Sequence, residues 1–434
     1  MTMEVTRRRA AAVVALLLVA ASSASAQEPV ALTMDEVVQR TLQHSPQVVQ
    51  AQGTVQTSEL TERSAFGAYL PNLNLSTNAS LASSRRFDNN TGTFISGSND
   101  SYSAGLSSAV DLFTGGRRGA EMNRARAQTA ASEASLIQQR YAVTRTAKAA
   151  FFDVLRAGDL IRTSEARRTR AEGGLQAAEL RQRAGSGTRS DVLRAQLELT
   201  NARQALLQAE NQKRTAMFAL GRLVGLDGPV DASQTEPLVV RELPFDRDQL
   251  VAMAVAQSPA VVSALADERA AQAGVRVSRS QYLPSLSLSG SYNWANDVAS
   301  FSNVNGSWST RLGLSFPVFN RFAREETNER SQVQARVAQY QLDDARRGAR
   351  ADIERVLGAL ETARQQIVLA EEALGVAEED LRVQQERYRL NVATILEQVT
   401  SQENLVGAEI NVISARYNYQ LALAELEALI GREL

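Results

Sequence analysis

The sequence predicts a mainly α fold: long antiparallel coiled-coil helices plus two β-hairpins that contribute four strands to a shared transmembrane β-barrel. Three observations carry this prediction. The chain repeats itself, since Ser45-Pro46 and Tyr69-Leu70-Pro71 recur 213 residues later as Ser258-Pro259 and Tyr282-Leu283-Pro284. Farther along the offset drops to 206, matching Leu112-Phe113 with Val318-Phe319, Asp191 with Glu397 and Gly225 with Gly431. Two copies of one supersecondary unit, differing in length at one polar segment, explain both offsets. The second observation is a switch of hydrophobic period from helical to alternating after each Leu-Pro. The third is composition: 44% hydrophobic but only 5% aromatic, with 9 prolines in 434 residues, which favours long helices over compact mixed cores.

Residues 1–26 read as an export signal. Arg7, Arg8 and Arg9 supply the positive region, residues 10–21 the apolar stretch, and Ala24-Ser25-Ala26 a cleavage site before Gln27. The apolar run falls short of the roughly 20 residues a membrane-spanning helix needs, and no later segment reads as apolar enough to span a bilayer as a helix.

The first copy covers 27–226. Thr33 and Glu36 form a capping box that opens a short helix. Ser45 then caps a second helix with Pro46 at its first position, where the missing N–H costs nothing. A strand hairpin follows at about 72–113. Leu73, Leu75, Thr77, Ala79 and Leu81 alternate with asparagines and serines, and Tyr102, Ala104, Leu106, Ser108, Val110 and Leu112 continue more weakly. The polar stretch 85–100 joins the two strands as a loop. The coiled-coil hairpin spans about 116–223, with Gly173-Gly174 as a weak point in its long arm. At about 1.5 Å per residue that arm reaches on the order of 100 Å. Val192, Ala195, Leu199, Ala202, Leu206 and Ala209 form the packing stripe of the return helix.

Residues 227–247, with three prolines and no periodicity, form a linker. The second copy, 248–434, repeats the plan with a strand hairpin at about 285–319, a loop at 297–306 and a coiled-coil hairpin at about 321–430. Its return-helix stripe is Val406, Ile410, Ile413, Tyr417, Leu421 and Ala424.

The strands set the functional reading. One face is almost uniformly Ser and Asn; the other ends in aromatics, Tyr69, Phe113, Phe316 and Phe319 at one side and Tyr102, Tyr292, Trp294 and Trp308 at the other. Aromatic belts bounding alternating strands of about 10 residues mark a transmembrane barrel. Four strands are too few to close one, so copies of the chain must pool them; two would supply eight strands and three twelve. Both hairpins enter and leave through helices on one side of the membrane, so an exported chain of this form reads as a conduit projecting into the periplasm.

Enzymatic readings find little support. There is no cysteine, so thiolate chemistry, disulfides and cysteine lipid anchors are excluded, and His44 is the only histidine, placed at a helix junction. No metal cluster and no cofactor motif is expected, and Gly185-Ser186-Gly187-Thr188 lacks the Gly-Lys ending of a phosphate loop. A net charge of −1 gives no argument for nucleic acid. The competing class is a periplasmic coiled-coil structural or adaptor protein, which would need no aromatic-bounded amphipathic strands.

The paired Tyr-Leu-Pro segments, Asp111-Leu112-Phe113, Phe316-Pro317-Val318-Phe319 and the turn from Ala184 to Leu193 resemble the TolC-like outer-membrane efflux proteins over nearly all of 27–434. The resemblance implies a homotrimer, a twelve-stranded β-barrel continuous with a helical barrel, acting as exit duct for an inner-membrane pump joined through a periplasmic adaptor. It also implies a periplasmic gate at the hairpin tips. Asp191 with Ser190 stands at the family's acidic partner, Tyr388 at its tyrosine, and Glu397 at one acid of an entrance ring. The family's second-tip arginine is Ala393 here, so that link is missing or is replaced by Arg389 or Arg189, and the next ring acid falls on Thr400. The tip turns Gly185, Ser186, Gly187, Thr188 and Arg189, and Leu390, Asn391, Val392 and Ala393, match the region that meets the adaptor.

Overall fold

A computed structural model describes residues 29–88, 92–98, 100–234, 240, 244–296, 305–432 and 434. The expected signal, 1–26, lies outside them, as does most of the 297–306 loop. In chain order the elements are β1 (Val30–Leu32), α1 (Met34–His44), α2 (Pro46–Gly67), β2 (Asn72–Ser80), β3 (Ser83–Asp88), β4 (Thr93–Ser98), β5 (Ser101–Phe113), α3 (Arg117–Arg183) and α4 (Arg189–Leu223). Then follow β6 (Val230–Ala232), α5 (Arg247–Gln257), α6 (Pro259–Ser280), β7 (Ser285–Asn296), β8 (Asn305–Ser315), α7 (Ala323–Arg389) and α8 (Ile395–Ile430). Helices dominate and strands are few. The chain divides into two compact units, one of 50–139 and 251–351, the other of 140–250 and 352–434 with the described part of 1–49.

The first unit holds a four-stranded antiparallel sheet in the order β2-β5-β7-β8. Alternation alone dictates its faces, and the register carries them across all four strands. Leu75, Leu106, Tyr292 and Trp308 stand in one row; Asn74, Ser107, Ser291 and Ser309 stand in the next, facing the other way. Helix packing in this unit rests on small residues: Ala131 and Ala134 meet Ala266, and the Ser58 and Ser132 hydroxyls lie 2.8 Å apart.

Strand-to-helix junctions in this unit come in matched pairs. The Arg118 guanidinium lies 4.8 Å from the Tyr69 ring centroid and donates to the Leu112 carbonyl at 3.2 Å. Arg324 lies 4.9 Å from the Tyr282 ring and donates to the carbonyls of Pro317 at 2.8 Å and Val318 at 3.3 Å. The turns before them use left-handed backbone twice, at Gly115 and Gly116 and again at Arg321 (φ 57°) and Phe322 (φ 64°). A Cβ on Gly115 would come within 2.5 Å of Leu283 Cβ, so glycine is required there on space as well as on φ.

The second unit has a mixed core of Leu32, Val37, Phe151, Phe152, Val154, Leu220, Val224, Val230 and Tyr417. The buried Tyr417 hydroxyl donates to Asp159 Oδ2 at 2.9 Å. His44 is exposed at the end of α1 and its ring lies against Gly225, where a Cβ would come within 2.6 Å of it. Two bidentate ion pairs bind the long helix α3 to its neighbours, Arg167 to Glu198 on α4 (2.9 and 3.2 Å) and Arg170 to Glu409 on α8 (3.1 Å twice).

Several expectations need correction. The 85–100 loop contains a separate two-stranded ribbon, β3 with β4, with Gly92 at φ 67° ahead of β4 and Phe87 opposite Phe94. The 227–247 linker contains β6, which pairs in parallel with β1; three residues are too few to show alternation. Ser45 holds the N-cap position of α2, its carbonyl accepting from Val49 N at 3.1 Å, but its hydroxyl donates to Gln47 Oε1 at 2.7 Å and no bond from a backbone N–H to it is seen among the described residues. The second hairpin stops at Ser315, ahead of Pro317, which has no N–H to give a ladder. A bulge between Asp111 and Phe113 shifts the alternation, so Phe113 rather than Leu112 stands opposite Leu286. Gly173-Gly174 interrupts nothing, since α3 is continuous. The α8 stripe is broader than expected: Val406, Tyr417 and Ala424 are buried and Ile413 and Leu421 pack against the core, Ile410 alone is exposed, and Leu405, Val412, Ala415, Tyr419, Ala422 and Leu426 are buried as well. Finally, Arg247–Ser280 does include a window of mean hydropathy 1.5, long enough by composition to cross a membrane, but the chain breaks at Ser258 into separate helices.

Candidate functional site

Two features stand out as functional, and each belongs to a different unit. The first is the uncovered sheet. Its apolar row is open to solvent: Leu73, Leu75, Leu312 and Leu314 are all exposed, and Trp308 retains 77% of its surface. Every residue of the edge strand β2 is exposed. Both outer edges, on β2 and β8, are unpaired among the described residues. Burying apolar surface yields about 25 cal/mol per Å², so an isolated protein in water would not leave such a face bare beside two open edges.

Aromatic groups bound the face at both ends. Tyr292 and Trp294 pack edge to face at 4.6 Å, with Trp308 directly opposite Tyr292 and Tyr102 at the start of β5. Phe113 and Phe316 lie at the end nearest the helices. The eleven-residue step from Tyr102 to Phe113 spans about 36 Å along a strand, and about 28 Å along the normal of a sheet tilted by about 40°. That height matches the apolar band of about 25 Å in outer-membrane barrels. The four strands contain just two charged residues, Asp111 and Arg311.

The second feature is the pair of hairpin tips. The α3–α4 turn places Gly185 at φ 77°, and the amides of Ser186 and Gly187 both donate to the Arg181 carbonyl at 3.0 and 3.1 Å. The α7–α8 turn repeats this with Asn391 at φ 64° and the amides of Val392 and Ala393 on the Arg387 carbonyl at 2.8 and 3.2 Å. Asparagine is among the few residues other than glycine that tolerate this backbone. Each turn ends in a full capping box. Asp191 Oδ2 accepts from Thr188 N and Oγ1 at 2.9 and 2.8 Å, and Glu397 Oε2 accepts from Thr394 N and Oγ1 at 2.6 and 3.1 Å. The backbone hydrogen bond from Thr394, then its hydroxyl, holds the Glu397 carboxyl below its ordinary range.

Of the expected gate residues, the structure brings Tyr388 into contact with a group the sequence reading passed over. Arg181 lies 4.1 Å from the Tyr388 ring centroid and donates to the Tyr388 carbonyl at 2.5 Å, joining α3 to α7. Burial pushes the Tyr388 phenol up, and Asp191 adds to that push while Arg181 opposes it. Asp191 is thus close enough to act on Tyr388 through charge, but its hydrogen bonds are spent on Thr188. Ser190 is exposed on the first turn of α4, and Arg189 makes no ion pair among the described residues. Arg389 is held by Glu386 at 3.0 Å on its own helix. Leu390 and Val392 are exposed apolar residues at the second tip, and Leu180 and Leu193 flank the first. The signal that would have found Arg181 was its match to Arg387 at the 206-residue offset, four positions before each left-handed turn residue.

No group of three or more metal-ligating side chains occurs among the described residues. A family model described as outer membrane efflux protein matches residues 37–226 and 250–432. Among curated relatives, the chain is 27% identical over 408 residues to the pyoverdine export outer membrane protein OpmQ of Pseudomonas aeruginosa, covering 92% of this chain and 83% of that one. It is 29% identical over 408 residues to the protein CyaE of Bordetella pertussis, covering 91% and 81%. Among solved structures it resembles CusC, with a TM-score of 0.80 at 17% identity over 92% of each chain. It also resembles the outer membrane protein VceC of Vibrio cholerae, with a TM-score of 0.76 at 19% identity over 92% and 96%.

Proposed function

We infer the function from one premise: this chain belongs to the outer membrane efflux protein family. It is an outer-membrane channel of the efflux and type I secretion class, a passive duct with no chemistry of its own. Three copies pool their strands into one twelve-stranded barrel in the outer membrane, and the coiled-coil helices continue it into the periplasm. The two halves of the chain are copies of one unit, differing mainly in the polar segment between their strands. An inner-membrane pump supplies the energy and a periplasmic adaptor joins pump to duct.

The observation that carries this reading is the bare apolar face between two open edges. Water penalises such a surface, whereas lipid and neighbouring subunits satisfy both face and edges. The tips form the periplasmic gate, with Arg181 and Tyr388 as direct partners and Asp191, Ser190 and Glu397 placing acid and hydroxyl groups at the entrance. The exposed turns Gly185–Arg189 and Leu390–Ala393 offer the adaptor its contact.

Reconstitution tests this reading. Purified protein should run as a heat-sensitive oligomer of three chains and conduct ions across a planar bilayer. Recovery as a soluble, heat-insensitive monomer would instead favour the periplasmic structural protein.

A further inference from the structure

We propose that Arg311 makes the barrel lumen selective for anions, so that polyanionic solutes are held where they leave the duct. This rests on the duct reading above and adds a specificity-determining residue to it. Arg311 sits in β8 opposite Ser289, two residues from Ser309. The Ser291 and Ser309 hydroxyls meet at 3.0 Å, which fixes that side of the sheet as the polar one. The register extends the Arg311 row through Ser289 and Ala109 to Asn72, all uncharged.

Asp111, the other charge in the four strands, is answered by Arg117 at 3.5 Å, and Arg117 also meets Glu121 at 3.4 Å. Arg311 has no ion-pair partner among the described residues and is exposed. It is therefore the one uncompensated charge on the polar face of the sheet among those residues.

Barrel geometry turns one charge into three. Twelve strands spaced about 4.8 Å and tilted about 40° close at a backbone radius of about 12 Å. An arginine reaching inward brings its guanidinium to about 6 Å from the axis. Three unit charges at that distance, in water and with a Debye length of about 10 Å at 0.1 M salt, enrich a monovalent anion at the axis roughly sevenfold. The factor compounds with each added charge on the solute, so multivalent anions feel the ring most.

The test uses full-length protein in planar bilayers, titrated with inorganic tripolyphosphate from the sheet side. Wild type should be blocked, and Arg311→Gln should raise the half-blocking concentration at least tenfold. Arg311→Lys, which keeps the charge, should stay within about threefold of wild type. Block of wild type should also weaken steeply between 0.1 and 1 M salt, as the Debye length contracts from about 10 to about 3 Å; this needs no variant to fold. Equal block in wild type and Arg311→Gln, or block indifferent to salt, overturns the proposal. A chain that forms no pore in any variant overturns the duct reading itself.

Discussion

Replacing Arg181 with alanine should loosen the two hairpin tips from each other. Arg181 makes two contacts with α7, stacking 4.1 Å from the Tyr388 ring centroid and donating to the Tyr388 carbonyl at 2.5 Å. A partly exposed cation–π contact contributes about 1 kcal/mol, and a hydrogen bond from a charged donor about 1.5 kcal/mol. Their loss, about 2.5 kcal/mol, shifts the equilibrium between joined and separated tips roughly 60-fold. Single-channel conductance in planar bilayers reads this directly, and amide hydrogen exchange around Tyr388 should quicken in step. Arg387→Ala is the matched control. Arg387 occupies the equivalent position in the other tip, but its guanidinium bonds Gln384 on its own helix at 3.2 Å and reaches Glu397 only through a weak, exposed charge interaction, so its loss should leave conductance within about twofold. Unchanged conductance and exchange in Arg181→Ala, or equal effects of the two substitutions, would refute the assignment of Arg181 as the bond between tips.

Four further outcomes are expected. Phe152→Ala, which empties a buried site between Phe151 and Tyr417, should cost about 3–5 kcal/mol and lower the thermal midpoint of the assembled protein. Arg321→Gly should raise stability by up to about 1 kcal/mol, because the arginine holds φ 57°, a conformation its equivalent Gly115 adopts freely; a lowered midpoint would show that the side chain matters more than the backbone. The phenols of Tyr388 and Tyr417 are both raised above 10, chiefly by burial, so the folded protein binds more protons than the unfolded chain above about pH 10. Stability should accordingly fall as pH rises from there, and Tyr417→Phe should flatten that fall in a chemical-denaturation series. The Glu36 and Glu397 carboxyls are lowered by their capping hydrogen bonds, so their contribution is complete above the ordinary value of 4.5 and fades as pH drops below it; Thr394→Ala, which removes the capping hydroxyl at one tip and keeps the larger backbone bond, should reduce that acid sensitivity in part.

Much of this molecule was legible because its signals are local and periodic. Alternation at Leu73, Leu75, Tyr292 and Trp308 needs nothing but the sequence to assign a face, and the register then aligns those faces across four strands. The capping box at Thr33 is written within four residues; those at Thr188 and Thr394 have the same spacing but were not anticipated. What escaped was non-local or too short. The β1–β6 pair joins three-residue strands separated by about half the chain, and neither has room to show a period. The α8 stripe is too narrow because this helix buries residues over much of its circumference, Gln398, Ser401 and Gln402 among them, so its sequence does not single out one face. Arg181 escaped for another reason. A long cation near a helix end reads as a favourable C-terminal charge, and only the packing of α3 against α7 gives it a partner.

The most direct test of the central claim uses the chain's own probes. Its two tryptophans, Trp294 and Trp308, both lie on the apolar face of the sheet, in neighbouring rows. In protein reconstituted into brominated phospholipid, their fluorescence should be strongly quenched, while aqueous iodide should quench it little. Emission that iodide quenches and brominated lipid leaves untouched would place that face in water and contradict the membrane barrel.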